Sequence, residues 1–493
     1  MDETEPLLSN QSQPKHYFQD DGKHKIVDFD PNGDPENPME WPAWYRWCIV
    51  LLLAFMAFTV TFTCIGIVPS ARDVVLDLEG HTDKSASVLF VTIWELGEAA
   101  GPLFIAPLSE VYGRYPVYNV CNTLFILSTV ITALSQDVGL LIFSRFLTGC
   151  AVASNVLNPA IVGDIFPSAH RGSAMSAVML APLLGGAIGP STAGALAEAT
   201  GWREIMWLST CLAIAAELAY LFLLNETYQV PILQRRAARL RKETGDDSYR
   251  SKYDLEGTAS LRSLTTSMLR PLWVFSSSVV LQILSLWGAM VFSFFYIMST
   301  TLPDMLEDVY HFDAAMRGLA FLSFSAGSVF GILACNLLVD RLYTRLQPHD
   351  SRTPYPEARL PLTITGALIL PFTVALYGWS ASASWPVWVL LLSVVLQGFA
   401  CMMCIVPMLT YVTDAFGLVS ASALTAVLVT RCLAGTFLPL GTAPLVGKLG
   451  WGWGFTVLAG VCGGLAPIPP LVMRYGSRWR QRSQYSQDGD DQG

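Results

Sequence analysis

Long apolar runs alternate with short polar segments along the chain. Twelve of these runs are about 20 residues long or longer, and most charged residues lie between them. A helix of about 20 apolar residues crosses the hydrocarbon core of a bilayer, so each run predicts a membrane-spanning helix. The predicted spans 1 to 12 cover residues 46–68, 85–108, 117–135, 138–160, 172–197, 204–224, 272–300, 315–339, 360–379, 386–410, 420–446 and 453–473.

The polar segments divide the spans into two groups of six. The sequence therefore predicts an all-α membrane protein with an N-terminal half over 44–224 and a C-terminal half over 271–473. A central loop over 225–270 joins the halves, and a short tail covers 474–493. The segment 1–43 is polar and rich in Pro, Asp and Asn, so we expect a disordered tail there.

The two halves also resemble each other in sequence. Glycines and prolines recur at one constant offset, which is difficult to obtain by chance. The pairs that match at an offset of 249 positions are Gly149 and Gly398, Gly186 and Gly435, Pro190 and Pro439, and Gly201 and Gly450. Two parallel six-helix repeats with a substrate site between them are a known transporter arrangement. The repeat thus predicts two pseudo-symmetric halves.

Composition excludes several classes of protein. With 52% hydrophobic and 14% charged residues, the chain is too apolar for an ordinary soluble protein. The net charge is −9 and leaves no basic face, so we expect no nucleic-acid partner. All ten Cys lie in or beside apolar runs, which argues against a disulfide framework. Because the spans show no metal-ligand cluster and no Ser/His/Asp set, we expect no enzyme, metal or cofactor.

The distribution of basic residues predicts the orientation in the membrane. Most of the 30 Lys and Arg residues fall in the two tails, the central loop and the other segments on the same side as the N-terminus. Basic residues concentrate in cytoplasmic segments, so both termini are predicted to be cytoplasmic. The connecting segments on the opposite side contain Arg72, Lys84, Arg203, Arg317 and Lys448.

Two carboxylates stand inside span 2. Glu95 and Glu98 are three residues apart and therefore lie on one face of a helix. An ionisable group within the membrane is costly and usually faces a cavity or a partner. We take both as candidates for proton coupling and for the substrate pocket. The simpler alternative is a polar seam that packs on neighbouring helices.

Three further ionisable residues lie within spans. Arg145 in span 4 and Glu217 in span 6 are further proton-coupling candidates, because all six His lie in tails or loops. Arg145 is close enough to the end of its span that snorkelling to water is an alternative, and Glu217 could belong to a structural pair. Arg431 in span 11 and Asn155 in span 4 are candidates for the substrate pocket.

Two motifs predict moving parts. After span 2, Gly113 permits a sharp turn, and Glu110, Arg114 and Asp164 supply charges for a cytoplasmic gate. In span 5, small residues permit close helix approach and a proline bends the helix. We predict a hinge or seal there, with ordinary tight packing as the alternative. Its residues are Gly185, Gly189, Pro190 and Gly194.

Several of these motifs resemble those of one transporter family. The motifs are Gly101-Pro102, Ala106-Pro-Leu-Ser-Glu110, Gly113-Arg114-x-Pro116, Arg145-x-x-x-Gly149, the run from Gly185 to Gly194, Asn37-Pro-x-x-Trp41 and Ala237-x-x-Leu-Arg-Lys242. From about residue 37 to 475 the chain resembles the fungal twelve-span drug:proton antiporters of the major facilitator superfamily. One departure is Glu110, which stands where that family's loop usually has Asp.

The resemblance implies the major facilitator fold and proton-coupled export of small organic molecules such as drugs, toxins or secondary metabolites by alternating access. Three alternatives stay open: a proton symporter for uptake, transport of a polyamine or organic acid, and a non-transporting sensor with the same fold. The expected partners are a small-molecule substrate, protons and the lipid bilayer, with the protein a monomer. We expect the plasma membrane, and the dileucine pattern of Glu3, Leu7 and Leu8 makes a vacuolar or endosomal membrane the alternative.

Overall fold

A computed structural model describes residues 18–20, 25–31, 33–254, 261–346 and 356–481. The dileucine pattern of Glu3, Leu7 and Leu8 therefore lies outside the described residues. The helices of the N-terminal half are α1 (Ala43–Gly66), α2 (Ala71–Glu79), α3 (Lys84–Tyr112), α4 (Arg114–Leu134), α5 (Val138–Cys150), α6 (Ser154–Ile165), α7 (Ser168–Ala199) and α8 (Trp202–Leu223).

The remaining elements complete the second half and the segments around it. Between the halves lie α9 (Gln229–Thr244), β3 (Tyr249–Ser251) and α10 (Leu261–Ser277), and before α1 lie β1 (Phe18–Asp20) and β2 (Lys25–Val27). The C-terminal half contains α11 (Val279–Asp308), α12 (Ala314–Leu346), α13 (Pro361–Ser382), α14 (Val387–Phe416), α15 (Ser420–Phe437), α16 (Thr442–Leu465) and α17 (Ile468–Arg480).

Polar side chains define several helix starts. Asp83 accepts hydrogen bonds from the backbone N–H groups of Ser85 and Ala86 at the start of α3. Asp137 and Ser278 cap α5 and α11 in the same way. Such caps satisfy N–H groups that have no partner within the helix. The cap at Ser278 also explains why the seventh spanning helix begins at Val279, later than the expected residue 272.

The described residues contain eleven helical stretches that are long and apolar enough to cross a membrane. Span 4 is one such stretch although it is interrupted between α5 and α6. The last stretch, Ser420–Arg480, reverses direction at Gly450, whose φ is +75° and ψ 172°. Its repeat partner Gly201 has nearly the same backbone, with φ +110° and ψ 168°. The reversal divides the last stretch in two, which agrees with the twelve expected spans.

Each half is a bundle, and the two bundles meet along two helix pairs. Within the halves, α1 packs on α7, α3 on α5, and α14 on α12 and α13. Between the halves, α7 packs on α12 and α3 packs on α15. Because the spans alternate in direction, the N-terminal segment, α9 and the end of α17 lie at one end of the bundle. We call this end the tail face, and the end with α2 and residues 309–313 the far face.

The N-terminal segment, which its composition predicts to be disordered, contains strand β2 (Lys25–Val27) in its described part. Residues 25–31 and 33–40 pack with α9 and β3 as a folded unit, which we call the tail module. Strand β2 pairs in parallel with β3 and antiparallel with β1. A small apolar core, formed by Val27, Ala237, Leu240 and Tyr249, joins the segment to the central loop. The expected loop over 225–270 is partly helical, because it contains α9 and the first part of α10.

Helical structure also continues past the expected end of the second half at residue 473. Helix α17 runs to Arg480, whose guanidinium Nε donates to Glu357 Oε1 at 3.0 Å. Both side chains are buried, with 4% and 0% exposure. This buried, hydrogen-bonded ion pair holds the end of α17 against the segment that contains Glu357. A prediction based on apolar runs alone cannot find such a contact, because both residues are charged.

Candidate functional site

A cavity of about 300 Å³ lies between the two halves. Helices α1, α3 and α7 of the N-terminal half and α11, α12, α14 and α15 of the C-terminal half contribute to its wall. The wall is mainly apolar and aromatic; its aromatic residues are Trp94, Phe292, Phe295, Tyr296, Phe321 and Phe324. A cavity of this size and character suits a small, largely apolar organic molecule.

Helix α3 places both span-2 carboxylates in the wall of this cavity. Glu95 is 2% exposed, and its Oε1 accepts a hydrogen bond of 2.6 Å from the hydroxyl of Tyr296 on α11. Its other oxygen, Oε2, has no hydrogen-bond partner among the described residues. The Cys64 thiol lies 3.7 Å from the same Tyr296 hydroxyl. Glu95 thus contacts the opposite half through a neutral donor.

Glu98 has a different set of partners. Its Oε1 accepts from Asn155 Nδ2 at 2.6 Å, and its Oε2 accepts from Trp94 Nε1 at 3.2 Å. Arg431 of the C-terminal half lies with Nη2 3.7 Å from Oε1 and its guanidinium 4.4 Å from the ring centre of Phe292. The structure therefore brings all four substrate-pocket candidates together, and each carboxylate contacts one residue of the opposite half.

Arg145 lies close to this cluster without joining it. The side chain is fully buried, which excludes snorkelling in this structure. Its guanidinium donates to the backbone oxygens of Thr63 and Cys64 near the end of α1, at 3.0 and 2.8 Å. It also lies 4.7 Å from the ring centre of Trp94. Arg145 thus holds the end of α1 against α3 and makes no ion pair with either carboxylate.

Glu217 lies away from the cavity, inside the N-terminal half. Its Oε2 accepts from Asn122 Nδ2 at 2.7 Å, between α8 and α4. The stacked rings of Tyr118 and Tyr220 connect the same two helices. The geometry therefore favours the structural alternative for Glu217 over a role in proton coupling.

One group of residues at the wall of the cavity, formed by two lining carboxylates and a buried thiol behind them, has the composition of a metal site. Possible ligand atoms of Glu95, Glu98 and Cys432 lie within 4.8 Å of one another. However, Arg431 already supplies a positive charge beside Glu98, and a cation placed between the carboxylates would be repelled by it. This donor set therefore fits an ion pair better than a resident metal.

The turn after span 2 forms a polar cluster at the tail face. Arg114 donates through Nε to Asp164 Oδ2 at 3.3 Å and through Nη1 to Ser109 Oγ at 2.5 Å. Its guanidinium also lies 4.6 Å from the ring centre of Tyr228. These partners belong to the N-terminal half and the start of the central loop. Glu110 is exposed and forms no ion pair with Arg114.

Glu226 explains why this turn contains a glycine. Its carboxylate accepts from the backbone N–H groups of Arg114 and Tyr115 at 2.9 and 3.4 Å, and thereby caps α4. Gly113 has φ +101°, and a Cβ at this position would lie 2.1 Å from Glu226 Oε2. The turn thus requires glycine for both its backbone angle and its space.

The glycines of span 5 divide into two groups. Gly185 and Gly189 face α1 of the same half, and a Cβ on Gly185 would lie 2.7 Å from the backbone oxygen of Phe58. Gly194 faces the other half, and its Cβ would lie 2.4 Å from the oxygen of Ala314. A Cβ on Gly318 would in turn lie 2.1 Å from the oxygen of Pro190. Pro190 and Gly194 therefore belong to a contact between the halves.

Ion pairs between the halves reinforce that contact at the far face. Arg72 pairs with Asp308 at 2.9 Å. Arg317 is 6% exposed and pairs with Asp73 of the N-terminal half and with Glu307 of its own half, at 3.0 and 2.6 Å. Together with the glycine contacts, these pairs close the far face. Sequence reasoning found the glycines of span 5 but none of these charged pairs.

Tyr296 is the most important residue that sequence reasoning missed. A tyrosine in an apolar run gives no local signal, since its role depends on a carboxylate 201 positions away. Sequence reasoning also assigned no role to Trp94, although Glu98, to which it donates, is only four residues away on the same helix.

Comparisons with known proteins agree with this architecture. The family model described as Major Facilitator Superfamily matches residues 47–439. The chain belongs to the major facilitator superfamily. It is 35% identical over 464 residues to the efflux pump radE of Floropilus chiversii, covering 93% of this chain and 86% of that protein. It is 34% identical to the MFS-type transporter atr4 of Stereocaulon alpinum, covering 96% and 85%.

Solved structures show the same fold at low identity. A D-xylose-proton symporter matches with TM-score 0.65 and 16% identity, covering 87% of this chain and 97% of the other. The partially occluded, inward-open xylose transporter XylE from E. coli matches with TM-score 0.63 and 15% identity, covering 88% and 98%. In major facilitator transporters the substrate site lies at the interface of the two halves, which is where this cavity lies.

Proposed function

We propose that the chain is a proton-coupled exporter of small, largely apolar organic molecules that works by alternating access. The observation that carries this proposal is the pair Glu95 and Glu98 in the wall of the cavity between the halves. Each carboxylate contacts a residue of the opposite half, Tyr296 or Arg431. Movement of the halves therefore changes the surroundings of both carboxylates.

This arrangement couples protons to movement in a simple way. The proton affinity of a buried carboxylate depends on its burial and on nearby cations. When the halves separate around the cavity, Glu98 loses Arg431 and Glu95 loses Tyr296, so the affinity of the pair for protons changes with the conformation. Two states that differ by a few kcal/mol can then be interconverted by binding a proton or a substrate.

The proposal also includes the direction of transport and the orientation of the protein in the membrane. The basic residues concentrate on the side of the tail face, so we assign the tail face to the cytoplasm and both termini with it. The far face, closed by Arg72 and Arg317, then points outward. The printed name of radE, an efflux pump, supports export. We place the protein in the plasma membrane as a monomer.

Reconstituted protein tests the proposal. Purified protein in proteoliposomes is given a panel of labelled aromatic and aliphatic compounds, with and without an imposed pH gradient. We expect the gradient to drive accumulation of at least one apolar compound, and Glu95→Gln/Glu98→Gln to abolish this response. Glu217→Gln is the matched control, because that carboxylate lies outside the cavity. Gradient-driven transport that persists in the double variant would contradict the proposal.

A further inference from the structure

We propose that Asp304 is a second proton-binding site, from which protons pass from the far face along α11 to Glu95. The inference rests on the proposed function and adds to it the side from which the proton arrives and the residues that carry it. Three observations support it: the spacing of side chains on α11, two small cavities at the far face, and the unused bonding capacity at both ends.

Tyr296, Thr300 and Asp304 follow one another at intervals of four residues on α11. Residues four apart lie on one face of a helix, about 6 Å apart along its axis. The hydroxyl of Thr300 donates to the backbone oxygen of Tyr296 at 2.9 Å. A polar stripe thus runs from the far face to the residue that touches Glu95.

Two small cavities accompany the upper part of this stripe. One has a volume of about 30 Å³ and the other about 210 Å³. Thr300, Asp304 and Lys84 line both of them. A cavity of about 10–15 Å³ suffices for one water molecule if polar partners are present, so both can hold water. The far face is thus closed to an organic substrate but has room for water beside α11.

Asp304 differs from the acidic residues next to it. Glu307 and Asp308 on the same helix form ion pairs with Arg317 and Arg72. Asp304 is half-buried and forms no hydrogen bond or ion pair with any residue that the structure describes. The cations Lys84 and Arg72 and the phenol of Tyr377 face it from the neighbouring helices. Gaining or losing a proton therefore breaks no hydrogen bond or ion pair at Asp304.

The lower end of the stripe is prepared to receive a proton. Tyr296 donates to Glu95 Oε1 at 2.6 Å, and Glu95 Oε2 has no partner among the described residues. A proton that reaches the Tyr296 oxygen from water releases the hydroxyl proton to Glu95, so the tyrosine is unchanged overall. The other charged or titratable groups around Glu95 are Glu98, Arg431, Cys432 and Cys64, with Arg145 behind Trp94.

The route also explains the order of events. Glu95 and Glu98 are only 2% and 7% exposed, and the ion pairs of Arg72 and Arg317 close the far face in this structure. The contact between Tyr296 and Glu95 exists because the halves are together here. Loading through α11 belongs to this state, in which the far face is closed to an organic substrate, and release requires that the carboxylates become accessible from the tail face.

A carbodiimide tests the route without knowledge of the substrate. Dicyclohexylcarbodiimide modifies protonated carboxyl groups in apolar surroundings, and peptide mass spectrometry quantifies the modification of Glu95. Proteoliposomes are sorted by orientation, the tail-face pH is held constant and the far-face pH is stepped from neutral to mildly acidic. One pH unit changes the protonated fraction of a mostly ionised carboxyl by up to about tenfold.

In the wild type we expect modification of Glu95 to increase severalfold as the far-face pH falls. In Asp304→Asn and Thr300→Val it should stay within about twofold, and Asp304→Glu should restore the response. Asp137→Asn is the matched control, since this far-face residue caps α5 and Asn is also a good cap. A response in Asp304→Asn equal to that of the wild type would overturn the route, and so would a wild type that responds only to tail-face pH.

These outcomes are distinct from failure of the proposed function. If Glu95 responds to tail-face pH alone while a pH gradient still drives transport, only the route is wrong. If Glu95 responds to pH on neither face, the carboxylate carries no proton and the proposed function fails with it.

Discussion

At the scale of single residues, the two carboxylates of α3 have unequal surroundings. Glu98 has hydrogen-bond partners on both oxygens and a cation 3.7 Å away, all of which suit an ionised group. Glu95 has one neutral donor and one oxygen without a partner among the described residues. A buried polar atom that lacks a partner is costly. We therefore infer that Glu95 exchanges the proton and Glu98 provides the permanent charge.

Arg114 supplies a prediction at the same scale. Its guanidinium contacts Ser109, Asp164 and Tyr228, all outside the C-terminal half. We therefore expect Arg114→Ala to lower the stability of the N-terminal half by about 1–3 kcal/mol, because Asp164 loses its charged donor. The apparent melting temperature in detergent should fall by several degrees. Arg114→Lys should restore only part of it, since Lys lacks the planar fork.

The control for this prediction is Glu110→Gln, which changes an exposed neighbour that forms no ion pair with Arg114. Wild-type stability in Arg114→Ala would show that the cluster contributes nothing to folding. Wild-type stability together with slow transport would restore the gate that the sequence alone suggested.

At the scale of elements, α7 and α12 form the contact that closes the far face. Gly194 and Gly318 let the two backbones approach, and no side chain fits between them. We expect Gly194→Val or Gly318→Val to hold the far face open, because a bulky side chain blocks the approach. A membrane-impermeant maleimide applied from the far face should then modify Cys64, which lines the cavity, several times faster than in the wild type.

Gly172 on α7 provides the control, since a Cβ there has no atom within 4 Å. Gly172→Val should leave the labelling of Cys64 unchanged. If Gly194→Val also left it unchanged, the helices would not form the seal and the ion pairs of Arg72 and Arg317 would have to close the far face alone.

The tail module gives a prediction about pH. Burial opposes the charge of Asp34, but the hydrogen bond from Arg236 and those from the N–H groups of Glu36 and Asp30 hold its pKa below the usual value. A carboxyl group with a lowered pKa in the folded state stabilises that state at pH values above about 3.9, which is the pKa of Asp in the unfolded chain. This stabilisation is lost as the pH falls from there through the lower pKa of the folded state. We expect residues 25–31 to remain protected from hydrogen exchange at neutral pH and to lose protection in acid.

Arg236→Leu should produce the same loss of protection at neutral pH. The substitution removes the guanidinium that donates to Asp34 and leaves a hydrocarbon side chain in its place. Arg235→Leu is the matched control, since that neighbouring side chain is exposed. Equal protection in Arg236→Leu and the wild type would mean that the apolar contacts around Val27 are sufficient to hold the segment.

At the scale of the whole molecule, local patterns predicted the helices but not the contacts between distant segments. Apolar runs predict the spans, and the constant offset predicts two similar halves, in which the matched Gly201 and Gly450 have nearly the same backbone angles. The polar composition of the tail predicts disorder, because composition does not reveal that Asp34 pairs with Arg236, 202 positions away. Tyr296 was missed for the same reason, since only the fold brings it to Glu95.

The central claim is that the carboxylate pair between the halves, through Glu95 and with the charge of Glu98 beside it, exchanges protons for substrate. The most direct test measures both fluxes in one experiment: proteoliposomes containing a pH-sensitive dye receive a labelled compound that the wild type transports, with no gradient imposed. We predict that transport of the compound moves protons in the opposite direction, and that Glu95→Gln carries out compound exchange without proton movement. Proton movement that still accompanies transport in Glu95→Gln and in Glu98→Gln would contradict the account.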